Sequence, residues 1–127
     1  MDLAGASIGQ LLIPVTDLER AIVFYRDTLG IRFLFAAPPQ MSFFQAGTVR
    51  LLIGVPPAGE AAGKASAIYF QVSHIHETYR TLRVRGVAFG GEPHVVHRTP
   101  TTELWLADFE DPDGNPLVLM CEAPRAS

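Results

Sequence analysis

The chain has 127 residues, 48% of them hydrophobic and 18% charged, with a formal charge of −3 and a single cysteine. That size and composition fit one globular domain with a real core and exclude a disordered or disulfide-built chain. The scattered basic residues argue against nucleic acid, and no apolar run approaches a membrane span. The start, Met1-Asp2-Leu3-Ala4-Gly5, has neither a positive segment nor an apolar one, so no signal peptide is expected and the cytoplasm is the simplest location.

Residues 8–15 read as a strand. Thr16 and Glu19 fit a capping box that opens a helix, with Leu18, Ile22, Tyr25 and Leu29 at helical spacing and Gly30 as its stop. Strands follow at 31–36, 41–46 and 49–54, separated by the Pro38-Pro39 turn and by Gly47. The stretch 56–66, rich in Pro, Gly and Ala, is linker-like. The order then repeats. Residues 67–72 form a strand, and Ser73 caps a helix with Ile75, Tyr79 and Leu82 on its buried stripe. Gly86 stops it, and strand material recurs at 87–89, 94–98, 102–109 and 116–121. Asp111-Pro112-Asp113-Gly114-Asn115 is a turn and is expected to be structural.

Fifteen positions separate Val15 from Gly30, and fourteen separate Val72 from Gly86. The chain therefore reads as two copies of β-α-β-β-β, an internal repeat of paired structural units. Module one spans about 8–55 and module two about 67–122, within a single domain 1–127. The predicted class is α+β.

The segments Pro14-Val15-Thr16-Asp17-Leu18-Glu19-Arg20-Ala21, Phe24-Tyr25-Arg26-Asp27-Thr28-Leu29-Gly30 and Asp111-Pro112-Asp113-Gly114-Asn115 resemble the vicinal oxygen chelate superfamily. This is the glyoxalase, bleomycin-resistance and extradiol-dioxygenase group. The resemblance covers residues 8 to about 122. It implies tandem βαβββ modules forming a curved mixed sheet around a concave cavity, with the helices on the outer face. It specifies no activity, because the fold hosts many chemistries.

In metal-using members each module offers one ligand on its first strand and one on its last. The resemblance carries these onto Gln10 and Leu52 in module one, and onto Ala67 and Val118 in module two. Three of the four are apolar, and a catalytic metal needs about three protein donors in fixed geometry. No cofactor is therefore expected. A divalent metal held by Gln10 with non-standard partners among His94, His97 and Glu103 is the alternative.

Strand alternation assigns the remaining faces. Gln10 takes Leu12 and Pro14 with it toward the cavity, Ala67 takes Tyr69 and Gln71, and Val118 takes Met120. Leu11, Ile13, Val15, Ile68, Phe70, Leu117 and Leu119 face the helices. Leu104 and Leu106 suit the core, which leaves Glu103 and Trp105 for the cavity, while two histidines three apart, His94 and His97, should face opposite sides. The candidate substrate-binding residues are Gln10, Leu12, Phe43, Arg50, Tyr69, Trp105 and Met120. His94, His97 and Glu103 are the candidate acid–base groups, a carboxylate near an imidazole being able to orient it. His74 and His76 are expected on the surface, and Cys121 as a small buried hydrophobe.

The expected function is binding or transformation of a small hydrophobic or aromatic metabolite without the family's metal. A metal-dependent lyase or isomerase is the second possibility, and a non-enzymatic binding module the third. The expected partners are a small-molecule ligand and a second copy of the chain, since short strands leave sheet edges that need cover; neither nucleic acid nor membrane is expected.

Overall fold

The structure is a computed structural model that describes residues 1–57, 63 and 65–125. Most of the linker-like stretch 56–66 lies outside the described residues. The chain divides into two compact units, Met1–Lys64 and Ala65–Ser127. Among the described residues no helix is long and apolar enough to cross a membrane.

In the first unit, β1 (Gln10–Pro14) leads into α1 (Leu18–Val23), which continues as a π-wound turn over Phe24–Thr28. Three strands follow: β2 (Arg32–Ala37), β3 (Met41–Ala46) and β4 (Val49–Gly54). They form a mixed sheet in the order β1-β4-β3-β2. β1 runs parallel to β4, and the other pairs are antiparallel. The helix packs on β3 and β4 and covers one face. Ile13, Val15, Phe44, Leu51 and Ile53 point to it and are fully buried with Tyr25. Ser42 is buried among them because its hydroxyl donates to the Ile53 carbonyl at 2.7 Å.

The helix starts one residue later than expected. The cap is Asp17, not Thr16: Asp17 is extended (φ −134°, ψ 108°), and its carboxylate accepts from the Arg20 amide at 3.1 Å. Thr16 instead accepts from the Arg20 guanidinium at 3.2 Å. At the other end Gly30 takes φ 76°, as a terminating glycine does. On the exposed π-turn, the hydrogen bond from Arg26 holds the Asp27 carboxyl below the usual carboxylate range.

The second unit repeats the plan with β5 (Ile68–Gln71), α2 (Ile75–Val84), β6 (His94–Arg98), β7 (Thr102–Glu110) and β8 (Pro116–Pro124), ordered β5-β8-β7-β6. Here too the cap shifts by one, from Ser73 to His74, whose side chain makes no capping hydrogen bond. The strand expected at 87–89 is reduced to an isolated bridge between Phe89 and Phe109. The turn between β7 and β8 is built on buried Asp111. Its carboxylate accepts from the amides of Asp113 and Asn115 and from the Asn115 side chain, at 2.8–2.9 Å. Asn115 in turn accepts from the Ala65 amide at 3.0 Å.

The two units correspond strand for strand. Val15 donates to the Gly54 carbonyl and Val72 to the Met120 carbonyl, each at 2.9 Å. In one unit Phe33 packs edge-on to Phe44 at 5.3 Å, and in the other Phe89 meets Phe109 at 5.0 Å. Met41 pairs with Gly54 as Leu106 pairs with Met120, and Ala37 pairs with Met41 as His94 pairs with Leu106. Beyond that point the copies differ. The first unit turns back at once, whereas the second continues through a longer hairpin arm of Val95–Arg98 against Glu103–Trp105.

Candidate functional site

The first sheet's face away from α1 carries Gln10, Leu12 and Pro14 from β1, with Arg50, Leu52 and Gly54 opposite them on β4. Met41, Phe43 and Gln45 join them from β3. A bulge in β2 between Phe33 and Phe35 then brings Arg32 and Phe35 to this face, opposite Gln45 and Phe43. Leu12 is 59% exposed, Phe35 49% and Met41 42%, an amount of apolar surface that marks an interaction site when contiguous. Leu12, Pro14, Gln40, Met41 and Leu52 line a cavity of about 270 Å³ with mainly apolar walls.

Arg50 organises the other end of this face. Its Nε donates to Gln10 Oε1 at 2.7 Å. Its guanidinium lies over the Phe43 ring, 5.3 Å from the centroid, and Phe43 stacks on Phe35 at 4.6 Å. Gln10, Leu12, Phe43 and Arg50 thus share one surface.

In the second unit the face away from α2 carries Tyr69 and Gln71, opposite Val118 and Met120. Leu104, Leu106 and Asp108 extend it on β7, facing Glu122, Met120 and Val118. The register overturns the expected faces of β7. Trp105 and Glu103 pair with Cys121 and Ala123 and point toward α2, while Leu104 and Leu106 point away from it. Trp105 meets the His76 ring edge-on at 4.8 Å, and Glu103 is bonded to Arg98 at 2.7 Å. Both line a cavity of about 460 Å³ at the first turn of α2, beside His74, His76, Glu77 and Arg80. Glu103 therefore does not join the histidines.

The histidines behave oppositely to expectation. A bulge between Val95 and His97 inserts one residue, so His94 faces with Leu106 and His97 with Leu104. Both lie on the face away from the helix. His94 Nδ1 is 3.1 Å from the Glu92 carbonyl.

The four positions that correspond to the family's metal ligands all lie on or beside these two faces: Gln10 and Leu52 in the first unit, Val118 in the second, and Ala67 just before β5. They do not fit a metal. Three offer no donor atom, and the oxygen of the fourth, Gln10, already accepts from a guanidinium. Among the described residues there is no cluster of three or more His, Cys, Asp or Glu that could hold one elsewhere.

Paired βαβββ units with parallel first and last strands and a helix on one side of each sheet define the architecture of one large protein class. The model of the glyoxalase/bleomycin resistance protein/dioxygenase superfamily matches residues 7–119. The chain belongs to that superfamily. It is 30% identical over 122 residues to the uncharacterised protein YetH of Bacillus subtilis (strain 168), covering 88% of this chain and 95% of that one. A superfamily member of known structure from Sphaerobacter thermophilus DSM 20745 is also 30% identical, with a TM-score of 0.74 and coverage of 91% and 97%. TnmS3, an antibiotic binding protein from Streptomyces sp. CB03234, shares the fold at 23% identity, with a TM-score of 0.73 and coverage of 96% and 100%.

Proposed function

We propose that this protein binds a small apolar or aromatic organic molecule on the face of the first sheet away from α1, without the metal that many superfamily members use. The observation that carries this reading is the Gln10–Arg50 hydrogen bond of 2.7 Å. At the one family ligand position that keeps a donor, a guanidinium replaces a metal ion as the partner of that donor. The apolar surface of Leu12, Met41, Phe43 and Phe35 supplies the contact area that a ligand of this class requires. That the fold also serves TnmS3, an antibiotic binding protein, is in keeping with a binding role.

A divalent-metal lyase or isomerase ranks second. It draws on His94 and His97, which the bulge places on one face, but among the described residues no third His, Cys, Asp or Glu completes a cluster with them. We further assign the protein to the cytoplasm as a homodimer, to be checked by size exclusion with light scattering. The reading itself is tested by metal analysis of tag-free protein before and after incubation with Ni, Mn, Zn and Fe(II), together with titration by Nile red, a neutral apolar dye. The expected result is substoichiometric metal and saturable dye binding that Leu12→Asp and Phe43→Asp abolish. About one metal per chain, lost on substitution of Gln10 or of the two histidines, would establish the second reading instead.

A further inference from the structure

Resting on that reading, we infer that the ligand is an organic anion: a monocarboxylate whose charged end is held by Arg50 and whose apolar body extends over Leu12 and Leu52 toward Met41 and Pro14.

Three features of the first unit carry this. Arg50 is held in place. Its Nε is committed to Gln10 and its Cζ lies over the Phe43 ring, itself stacked on Phe35. Among the described residues its two terminal nitrogens have no hydrogen-bond partner. A guanidinium fixed by Nε presents those two N–H groups as a fork that matches a carboxylate bidentately, with less entropy lost than for a mobile side chain.

The second feature is charge. The chain as a whole is acidic, with a net charge of −3. Yet the residues that the register brings to this face include Arg50 and Arg32 and no acid. Arg32 stands opposite Gln45, which stands opposite Arg50, so the two cations are two strands apart, roughly 10 Å. The second unit's corresponding face instead carries Asp108 and Glu122. A local surface of opposite sign to the whole protein selects an anion.

The third is the apolar continuation. Leu12 and Leu52 lie two residues along their strands from Gln10 and Arg50, about 7 Å away, and Pro14 and Gly54 lie about 13 Å away. Leu12, Leu52, Met41 and Pro14 line the 270 Å³ cavity. A ligand that satisfies both ends has one carboxylate and an apolar body about 7–13 Å long. That excludes small polar acids, which would leave the cavity wet, and neutral hydrocarbons, which would leave the two terminal nitrogens of Arg50 to water.

The test is calorimetric titration of the full chain with 4-phenylbutyrate and with its neutral amide, 4-phenylbutanamide. The expected result is that the acid binds at least roughly tenfold more tightly than the amide. Arg50→Gln should remove this preference, so that acid and amide bind alike. Arg50→Lys keeps the charge but not the fork and should retain only part of it. Gln10→Leu, which frees Nε, should weaken the acid more than the amide and so narrow the ratio between them. Arg50 is exposed, and circular dichroism of each variant checks that the fold persists. Equal binding of acid and amide to the unaltered chain overturns the inference while leaving the apolar-binding reading intact. So does binding of Nile red with neither probe bound. If this face instead seats a second copy of the chain, both probes and the dye fail to bind while the protein elutes as a dimer. That outcome overturns both.

Discussion

Replacing Asp111 with alanine removes the acceptor around which the β7–β8 turn is organised. At least three hydrogen bonds of 2.8–2.9 Å end on its carboxylate, and both Asp111 (5% exposed) and Asn115 (1%) are buried. A hydrogen bond to a charged acceptor contributes about 1.5–3 kcal/mol, and each buried donor deprived of its acceptor costs about 1–3 kcal/mol. The three bonds share one acceptor and are not additive, so the expected loss is about 3–5 kcal/mol. That is a large part of the roughly 5–15 kcal/mol that holds a domain of this size together. It corresponds to a fall in Tm of roughly 10–20 °C. The loss also reaches the start of the second unit, because Asn115 holds the Ala65 amide. Asp111→Asn keeps one oxygen but turns an amide nitrogen toward the Asn115 nitrogen, and should lose about half as much. Equilibrium urea unfolding, followed by far-ultraviolet circular dichroism and by tryptophan fluorescence, measures both variants. A loss of less than about 1 kcal/mol for Asp111→Ala would refute the reasoning, since it would mean that water replaces the carboxylate without cost.

Two glycines should respond for different reasons. A Cβ at Gly54 would stand 2.9 Å from the Gln40 carbonyl, so Gly54→Ala should cost about 1–3 kcal/mol through a backbone clash. At Gly86 the space is open but φ is +95°, so Gly86→Ala should cost only about 1 kcal/mol, both read from thermal melts. Ser42→Ala deletes one buried hydrogen bond without a clash and should cost about 1 kcal/mol in the same assay. Trp105, the one tryptophan, packs on the helix side against His76. His76→Ala should therefore shift its emission to the red, whereas 4-phenylbutyrate should leave the emission unmoved. A ligand-induced change in Trp105 emission would return that residue to the binding surface.

The first unit's surface was legible from alternation because β1, β3 and β4 pair without interruption from end to end. Gln10 and Leu12 therefore fall where period-two counting puts them, and Phe43 and Arg50 join them on the same face. What sequence could not show was that Arg50 reaches across to Gln10, or that a bulge in β2 adds Arg32 and Phe35 to the same surface. In the second unit counting failed on β7 and β6 for two physical reasons. Leucines at 104 and 106 satisfy the apolar expectation for a core as well as Trp105 and Ala107 do, so composition did not fix the register. The inserted residue at Val96 then reversed the parity of His97 relative to His94. The start of the first helix slipped by one because Thr16 and Asp17 are adjacent residues, each with an oxygen suited to capping, and backbone geometry chose between them.

The errors on β6 and β7 concentrate in the hairpin arm that continues past His94 and Leu106, where the first unit has already turned. An internal repeat proofreads its own interpretation only where both copies are present. The arm is an addition to a template that is complete without it. Replacing residues 95–105 by a turn as short as the one between Ala37 and Met41 would leave the paired strands below it to close as they do in the first copy. The helix-side cavity of Trp105 and Glu103 would leave with the arm. The surface built on Gln10 and Arg50 is made from strands of the first unit.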